Sequence, residues 1–388
     1  MVLHPVTVDQ GNAMVRLLHT ADVHLGAKFP GLGDKGAVQR EQVRASFKKL
    51  VSLTLAEDVD IILIAGDLFD ANQQPQKNID LVIEQFGLLA AKNIPVCLIP
   101  GTHDCFDSAS IYRKVNFVER YPNLTLFTGE GWEYKEFPAL GLTVYGKANH
   151  SNRSYNSPLE GLKRLTESRF HVAMAHGSLN IPGAFAEDDH VFNKEQIQGS
   201  QMHYVALGHW HRPYPCCDRG VIAWYSGPPE TISVDQKEPG SALIVTILDS
   251  GKVEIGARQT GLRCCDDLEI DLSDLESLSQ LKSKIISGAK PDLIRRVILK
   301  GLRNQDIRPL PEELEVELSD SFFHLRVTDQ SHPRTSELSE DAYTDQLIPA
   351  KFIKLMKGHV AACEGEDRDI AEEALQYGLA LLQGKEVL

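Results

Sequence analysis

The stretch that most constrains this chain is Asp58–Asp70, Asp-Val-Asp-Ile-Ile-Leu-Ile-Ala-Gly-Asp-Leu-Phe-Asp. Four apolar residues, three of them β-branched, run from Ile61 to Ile64 and stop at Ala65-Gly66-Asp67. An uninterrupted apolar run of this length reads as a strand buried on both faces, the kind found in parallel sheets. In open α/β sheets, ligands sit beyond the carboxyl ends of the strands. Asp67 stands just past such an end, beside a glycine that lets other groups approach closely, and so is well placed for a metal. Taken alone, Gly-Asp is an ordinary turn after a strand. Recurrence along the chain changes that reading.

Four other strand ends carry metal-ligand residue types. Arg16–His19 leads into Thr20-Ala21-Asp22-Val23-His24, where Asp22 and His24 can both point at one ion. An oxygen and an imidazole together suit manganese, iron or zinc. Val96–Ile99, introduced by Pro95, ends in Pro100-Gly101-Thr102-His103-Asp104. Here Asp104 could orient the His103 imidazole and raise its basicity, which is how a general acid is made. His171–Ala175 is followed by His176-Gly177, and Tyr204–Leu207 by Gly208-His209-Trp210-His211. Between the strands, helices are expected over Val38–Glu57, over Gln76–Lys92, over Ile111–Arg120 and near Pro158–Glu167. The first has Val43, Phe47, Leu50, Val51 and Leu55 on one face. Arg40, Arg44, Lys48 and Lys49 lie opposite, either as a solvated face or as a phosphate-facing rim. Alternating strands and helices imply a layered α/β fold.

At 388 residues the chain is long enough for more than one domain. Met14-Val15-Arg16 makes a natural start to the first strand, so residues 1–13 read as an upstream extension outside the fold. No run of 18 apolar residues offers a membrane span, and the first residues lack the pattern of a signal peptide. Seven cysteines, with adjacent pairs at Cys216-Cys217 and Cys264-Cys265, do not read as a disulfide framework. A reducing, cytoplasmic setting is expected. A net charge of −14 argues against a protein that coats nucleic acid non-specifically. It is compatible with nucleic acid reached through bound cations, because carboxylates that hold cations also make a chain acidic.

The main domain is read as 14–262. From there strands and helices alternate over Leu268–Leu272, Leu275–Ser287, Arg295–Lys300, Pro311–Leu318 and Phe322–Thr328, which reads as a small α/β domain over 263–332. A linker at 333–348 leads to a helical hairpin at 349–388. Pro349 is favourable at the first helical position, and Asp367 can cap the second helix.

In order and spacing, the five strand ends resemble the calcineurin-like metallophosphoesterases. Their motifs run Asp-x-His, Gly-Asp-x-x-Asp, Gly-Asn-His-Asp, a lone His, and Gly-His-x-His. A narrower resemblance, to the SbcD-like DNA-repair nuclease branch, rests on three stretches. These are His19–Gly26, Ala65–Asp70 with Pro75 soon after, and Ser226-Gly227-Pro228-Pro229-Glu230 followed by Gly240–Ile247. The resemblance covers residues 15–260, and the small domain stands where that branch has its DNA-capping domain.

The resemblance implies a four-layer α/β sandwich, two mixed sheets flanked by helices, with a small α/β capping domain and a C-terminal helical hairpin. It implies a centre for two divalent metals, manganese above all. Asp22, His24 and His211 would hold the first, Asp67 would bridge, and His176 and His209 would hold the second. Thr102 stands where the family has Asn, a poorer neutral oxygen ligand. A hydroxide bridging the metals would attack phosphorus, with His103, held by Asp104, protonating the leaving oxygen or stabilising the charge on phosphorus, and Asp70 supporting the site from outside the ligand set on its substrate side. His19, His150, His171, His190, His203 and Cys105 are read as structural.

The implied activity is DNA cleavage, as a double-strand exonuclease and single-strand endonuclease. A small-molecule phosphodiesterase or phosphatase and a DNA-end scaffold with a weakened second metal site are the alternatives. The implied partners are DNA, an SbcC-type coiled-coil ATPase and a second copy of the chain, with no membrane. The hairpin face of Phe352, Leu355, Met356, Ile370, Ala374 and Leu381 either docks the ATPase or packs on its own chain. Arg295, Arg296, Lys300, Arg303 and Arg308 either meet DNA backbone or form ordinary surface.

Overall fold

The computed structural model of the chain describes residues 14–181, 189–217, 219–304, 307–333 and 348–382. The expected extension at 1–13 and nearly all of the expected linker lie outside the described residues. Internal contacts divide the chain into two compact units that meet between Cys264 and Cys265.

The first unit is built on two six-stranded sheets. In one, the strands run in the order Val253–Gln259, Ser241–Ile247, Val15–Thr20, Ile61–Ala65, Val96–Ile99, Leu124–Leu126. The last four are mutually parallel, and Ser241–Ile247 is antiparallel to both of its neighbours. The other sheet runs Tyr214–Cys217, Ile222–Tyr225, Tyr204–Gly208, Phe170–His176, Leu142–Gly146, Glu133–Phe137. Its four central strands are parallel and its two edge strands antiparallel.

The two sheets pack face to face. Leu17, Leu63, Ile99 and Val245 of one share a buried cluster with Val144, Val172, Met174 and Ala206 of the other. Residues of opposite parity face outward. Leu18, Ile62, Ile64 and Leu98 are covered by Val43, Phe47, Leu50 and Val51 of helix Lys35–Ala56 and by Leu81, Val82, Phe86 and Leu89 of helix Gln76–Ala91. Tyr145, Ala173, Ala175, Val205 and Leu207 are covered by Leu159, Leu162, Phe192 and Ile197. Strand Ile61–Ala65 is thus fully buried on both sides, which accounts for its lack of apolar–polar alternation.

Some local expectations are corrected. No helix forms at Pro158–Glu167; a turn closes at Gly161, whose φ of +77° breaks helical continuity. Ile111–Arg120 divides into Ile111–Lys114 and Phe117–Arg120, with Asn116 capping the second by accepting from the Glu119 amide. Arg44 is not on an open basic face. It is buried, and its guanidinium donates to Glu41 and Asn78.

The second unit holds a three-stranded sheet in the order Cys264–Asp271, Leu293–Lys300, His324–Asp329, with helices Leu278–Ile286 and Pro311–Glu317. Helices Ile348–Ala362 and Glu366–Leu382 pair with each other. Ile353, Leu375 and Leu379 form the seam between them, with Phe352 and Met356 against it. Leu355, Ile370 and Leu381 point away and are exposed. The expected single apolar face is therefore split between an internal seam and an open side. No helix among the described residues is long and apolar enough to cross a membrane. No disulfide joins any of the seven cysteines, all of which are described.

Candidate metal centre

Because the central strands of each sheet are parallel, their carboxyl ends share one rim, and the candidate residues lie along it. Four of them leave their strands in left-handed backbone: Asp22 (φ 55°), His24 (φ 49°), Asp67 (φ 52°) and His209 (φ 107°). Each such non-glycine conformation costs about 1–3 kcal/mol and persists only where neighbours fix it. Here they do. The Asp22 amide donates to the Gly66 carbonyl (3.1 Å), the His24 amide to the Asp67 carbonyl (3.0 Å), and the His209 amide to both Asp22 carboxylate oxygens (3.0 and 3.1 Å).

Asp67 is the centre of the arrangement. Its Oδ2 lies 3.2 Å from His176 Nε2 and 3.6 Å from His24 Nε2, while its Oδ1 accepts the His103 amide at 2.8 Å. Three groupings bring ligand atoms within 4.8 Å of one another: Asp22 with His24 and His211, Asp22 with Asp67 and His176, and His24 with Asp67 and His103. His209 falls outside these groupings, its ring edge-on to His176 at a centroid distance of 5.3 Å. The Thr102 hydroxyl is buried in the same place, donating to Asp67 Oδ2 (3.2 Å) and lying 3.4 Å from His176 Nε2.

The far sides of the rings are held. His24 Nδ1 lies 3.1 Å from Asp70 Oδ1, and His176 Nδ1 lies 2.9 Å from the Ala65 carbonyl oxygen. Such partners fix tautomer and orientation and leave Nε2 for a ligand. The backbone permits this closeness only through glycine. A Cβ on Gly66 would stand 2.3 Å from His176 Nδ1, and one on Gly101 would stand 2.3 Å from Asp67 Oδ1.

The buried carboxylates and imidazoles of the cluster shift one another's titration. Burial pushes Asp22 up to about 6, partly offset by the charges of His176 and His24. Burial alone would lower His176, but the charge and hydrogen bond of Asp67 outweigh it and raise the imidazole to about 9. His24 is raised the same way, burial being outweighed by Asp70 and Asp67. Asp67 is held well below the usual carboxylate range despite its burial, by His176 and His24. His211 is pushed down to about 3 by burial and then by the charge of His24. The buried carboxylates thus shift His24 and His176 toward the charged form, while His211 is shifted away from it. His24 Nε2 is moreover buried with no hydrogen-bond partner. A convergent set of carboxylate oxygens and imidazole nitrogens with an orphaned nitrogen fits divalent cations of the manganese, iron or zinc type.

His103 and Asp104 differ from expectation. Asp104 is fully buried and does not reach the His103 ring. Its oxygens accept from the Phe69 amide (3.1 Å), the Gly101 amide (2.7 Å) and the Tyr112 hydroxyl (2.5 Å). It braces the loop backbone. The His103 ring is half exposed, with Nδ1 3.1 Å from the Asp70 carbonyl oxygen and 4.0 Å from Asp70 Oδ1. Asp70 therefore contacts both His24 and His103. An open cavity of about 650 Å³ adjoins the cluster, with Thr102, His103, Cys105, His150, Arg153 and His209 among its lining residues.

Arg295 is also corrected. Its guanidinium is buried in the second unit, bound to Asp266 and to the Ile285 and Ser287 carbonyls, and cannot present itself to DNA. Arg296 is partly exposed and paired with Asp267. Sequence reasoning missed Asn149, whose side-chain amide donates to the His176 carbonyl (3.1 Å), and Tyr112; nothing in their local sequence distinguishes them. His19, read as structural, is buried against the Tyr204 hydroxyl at 2.8 Å.

The sequence profile described as calcineurin-like phosphoesterase matches residues 15–213, half of the chain. A Bacillus subtilis protein named Uncharacterized metallophosphoesterase YhaO is 30% identical over 203 residues, 50% of this chain and 48% of that protein. The DNA double-strand break repair protein Mre11 of Aeropyrum pernix is 29% identical over 249 residues, 60% of this chain and 58% of that one. The D component of the SbcCD nuclease of Bacillus subtilis is 26% identical over 271 residues, 61% of this chain and 66% of that one. The chain thus spans between 48% and 66% of these relatives' own lengths.

Proposed function

The chain belongs to the calcineurin-like phosphoesterase family, and on that premise we propose that it is a divalent-metal-dependent phosphodiesterase that cleaves DNA. The observation that carries the proposal is the approach of two imidazoles, His24 and His176, to one carboxylate oxygen of Asp67. A carboxylate set between two imidazoles in this way could be shared by two cations. Relatives named for DNA double-strand break repair and as a component of the SbcCD nuclease support DNA as the substrate.

Asp22, His24 and His211 would hold one cation, and Asp67, His176, His209 and Thr102 the other, with Asp67 shared. Bound there, two cations would supply Lewis-acid charge to the phosphate oxygens and a water acidified enough to attack phosphorus. The chain's own residues do the rest. Asp70 and the Ala65 carbonyl fix the His24 and His176 rings. His103, anchored through Nδ1 by the Asp70 carbonyl, keeps Nε2 to carry a proton to the leaving oxygen. Asp104 and Tyr112 stiffen the loop that bears it.

The finer reading is a manganese enzyme of the cytoplasm, acting as exonuclease on duplex ends and endonuclease on single strands. It would work as a homodimer with an SbcC-type ATPase. Exposed Leu355, Ile370 and Leu381 on the helical hairpin are the side chains offered to that partner.

Cleavage of duplex and single-stranded DNA, with manganese and with chelator, tests the proposal beside a chromogenic phosphodiester. Manganese-dependent DNA cleavage is expected. Turnover of the chromogenic ester with none of DNA would move the assignment to a small-molecule phosphodiesterase. No turnover of either at saturating manganese would overturn it.

A further inference from the structure

Arg212 directly follows the candidate ligand His211, and its surroundings are unusual for a cation in so acidic a chain. Acidic residues number 54 against 40 basic ones, and Arg16, Arg258, Arg296 and Arg326 each pair with a carboxylate. Arg212 is exposed, and among the described residues its guanidinium has no ion pair or hydrogen bond. It lies instead over two aromatic rings, 5.7 Å from the centroid of Trp210 and 5.5 Å from that of Tyr214.

The platform beneath it is fixed. Trp210 Nε1 donates to Ser178 Oγ (2.8 Å), and its ring stacks on Tyr225 at 4.7 Å and 10°. Tyr225 is buried, its hydroxyl donating to the Gly177 carbonyl (2.9 Å) and accepting from the Leu179 amide (2.9 Å). The backbone is held as well. Pro213 restricts the residue before it to extended conformations. Gly227, at φ +65°, packs so closely that a Cβ there would stand 2.8 Å from the Arg212 carbonyl carbon. The Ser226–Glu230 stretch thereby backs the segment that carries Arg212.

A guanidinium laid on aromatic faces keeps its N–H donors for an acceptor, in a planar fork that matches phosphate. Held by rings rather than by a carboxylate, it breaks no ion pair when an anion arrives. While the scissile phosphate occupies the metal centre, the anion within reach of Arg212 is a neighbouring phosphate of the same strand.

Resting on the DNA reading proposed above, we propose that Arg212 clamps a flanking phosphate, at the first or second linkage beside the scissile one. It positions the strand and does not touch the reacting atoms. A small phosphodiester has no second phosphate to offer, so the same contact favours a polynucleotide over a small ester.

The test is cleavage of a single-stranded oligonucleotide in manganese by wild type, Arg212→Gln and Arg212→Lys, with kcat/KM followed from low to moderate potassium chloride. Thermal melting and counted bound manganese check that each variant keeps its fold and its metals. Arg212→Gln should lose about fivefold at low salt, the upper range for an exposed ion pair. Its logarithmic salt slope should be shallower by about 0.7, the share of one phosphate on a single strand. Arg212→Lys should keep the slope and lose less. A neutral methylphosphonate is then walked along the strand. At one linkage beside the scissile one it should cost wild type about fivefold and Arg212→Gln almost nothing. Should Arg212→Gln not fold, Arg212→Lys is read in the same walk, with a smaller cost at that linkage than wild type shows. Equal slopes in wild type and Arg212→Gln, or no linkage whose cost depends on residue 212, would overturn the inference and leave the nuclease reading standing. Loss of bound manganese in Arg212→Gln would also overturn it, giving the residue to the support of His211. No cleavage of DNA by wild type would overturn the nuclease reading, and this inference with it.

Discussion

Asp70 Oδ1 lies 3.1 Å from His24 Nδ1, and the carbonyl of the same residue lies 3.1 Å from His103 Nδ1. One residue thus orients both a candidate metal ligand and the candidate general acid. Asp70→Ala should loosen the His24 ring, which loses its carboxylate partner, and leave the backbone carbonyl that holds His103 in place. Manganese affinity is expected to fall roughly 10–100-fold, the usual cost of removing a ligand's supporting partner. A manganese titration that matches wild type would show that His24 needs no such support.

His103 and Asp104 are neighbours in sequence with separable roles. His103→Gln should keep its fold and its bound metal, since the ring is half exposed. It should lose about 10²–10⁴ in rate on DNA, the usual worth of a general acid. On an ester with a nitrophenolate leaving group, which needs little protonation, the loss should be much smaller. Equal losses on both substrates would remove the proton-donating role. Asp104→Ala should instead lower the melting temperature, because it strips partners from the buried Phe69 and Gly101 amides and the Tyr112 hydroxyl.

Gly66→Ala tests the close packing behind the cluster. With φ at +92° and a Cβ that would stand 2.3 Å from His176 Nδ1, alanine must strain the backbone or displace the ring from the Ala65 carbonyl. The conformation alone should cost about 1–3 kcal/mol. Calorimetry should record a lower melting temperature and a weakened metal response; a fully wild-type melt with bound manganese would mean that the rim relaxes freely.

Strand ends are legible in the sequence because burial on both faces leaves a readable trace. Ile61–Ile64 is apolar throughout, and the next polar residue marks where the chain leaves the sheet. Asp22, Asp67, His103, His176 and His209 all stand at such ends. What lies across space leaves no such trace. Asp104 sits beside His103 in sequence, yet its carboxylate turns inward to the Phe69 and Gly101 amides. Arg295 looks like a surface cation among its basic neighbours, but it fills a buried slot between Asp266 and two carbonyls. The helix expected at Pro158–Glu167 has suitable residues on its apolar side. Gly161 instead adopts a left-handed turn, so Leu159 and Leu162 reach the core from a loop.

Glu230 ends the Ser226–Glu230 stretch that stands out in the sequence, and its carboxylate is a buried hub. Its partners are protein donors throughout: Oε1 accepts from the Thr231 and Arg263 amides, and Oε2 from Ser46, Gln42 and the Leu262 amide. Glu230→Gln would set an NH2 group against some of those donors. Each buried group left unsatisfied costs about 1–3 kcal/mol, so denaturant unfolding should record a loss of several kcal/mol. Metal binding by the folded fraction should be unchanged, since none of these partners is a candidate ligand. A loss below about 1 kcal/mol would mean that the network rearranges.

His19 supplies a pH dependence of known sign. Burial lowers its imidazole from 6.5 to about 3 in the folded protein. Between those values the unfolded chain binds a proton that the folded chain refuses. Stability from this group is therefore fully present above about pH 6.5 and is lost as pH falls toward 3. His24 and His176 are raised and act in the opposite sense, stabilising the fold at lower pH and losing that contribution as pH rises through their folded values. Comparison with His19→Gln cancels them, because both proteins carry them. The gap in unfolding free energy between wild type and His19→Gln should change in the variant's favour as pH is lowered from 7 to 4.5 in chelator. A gap that stays constant over that range would mean that His19 is protonated in the folded protein as readily as in the unfolded chain.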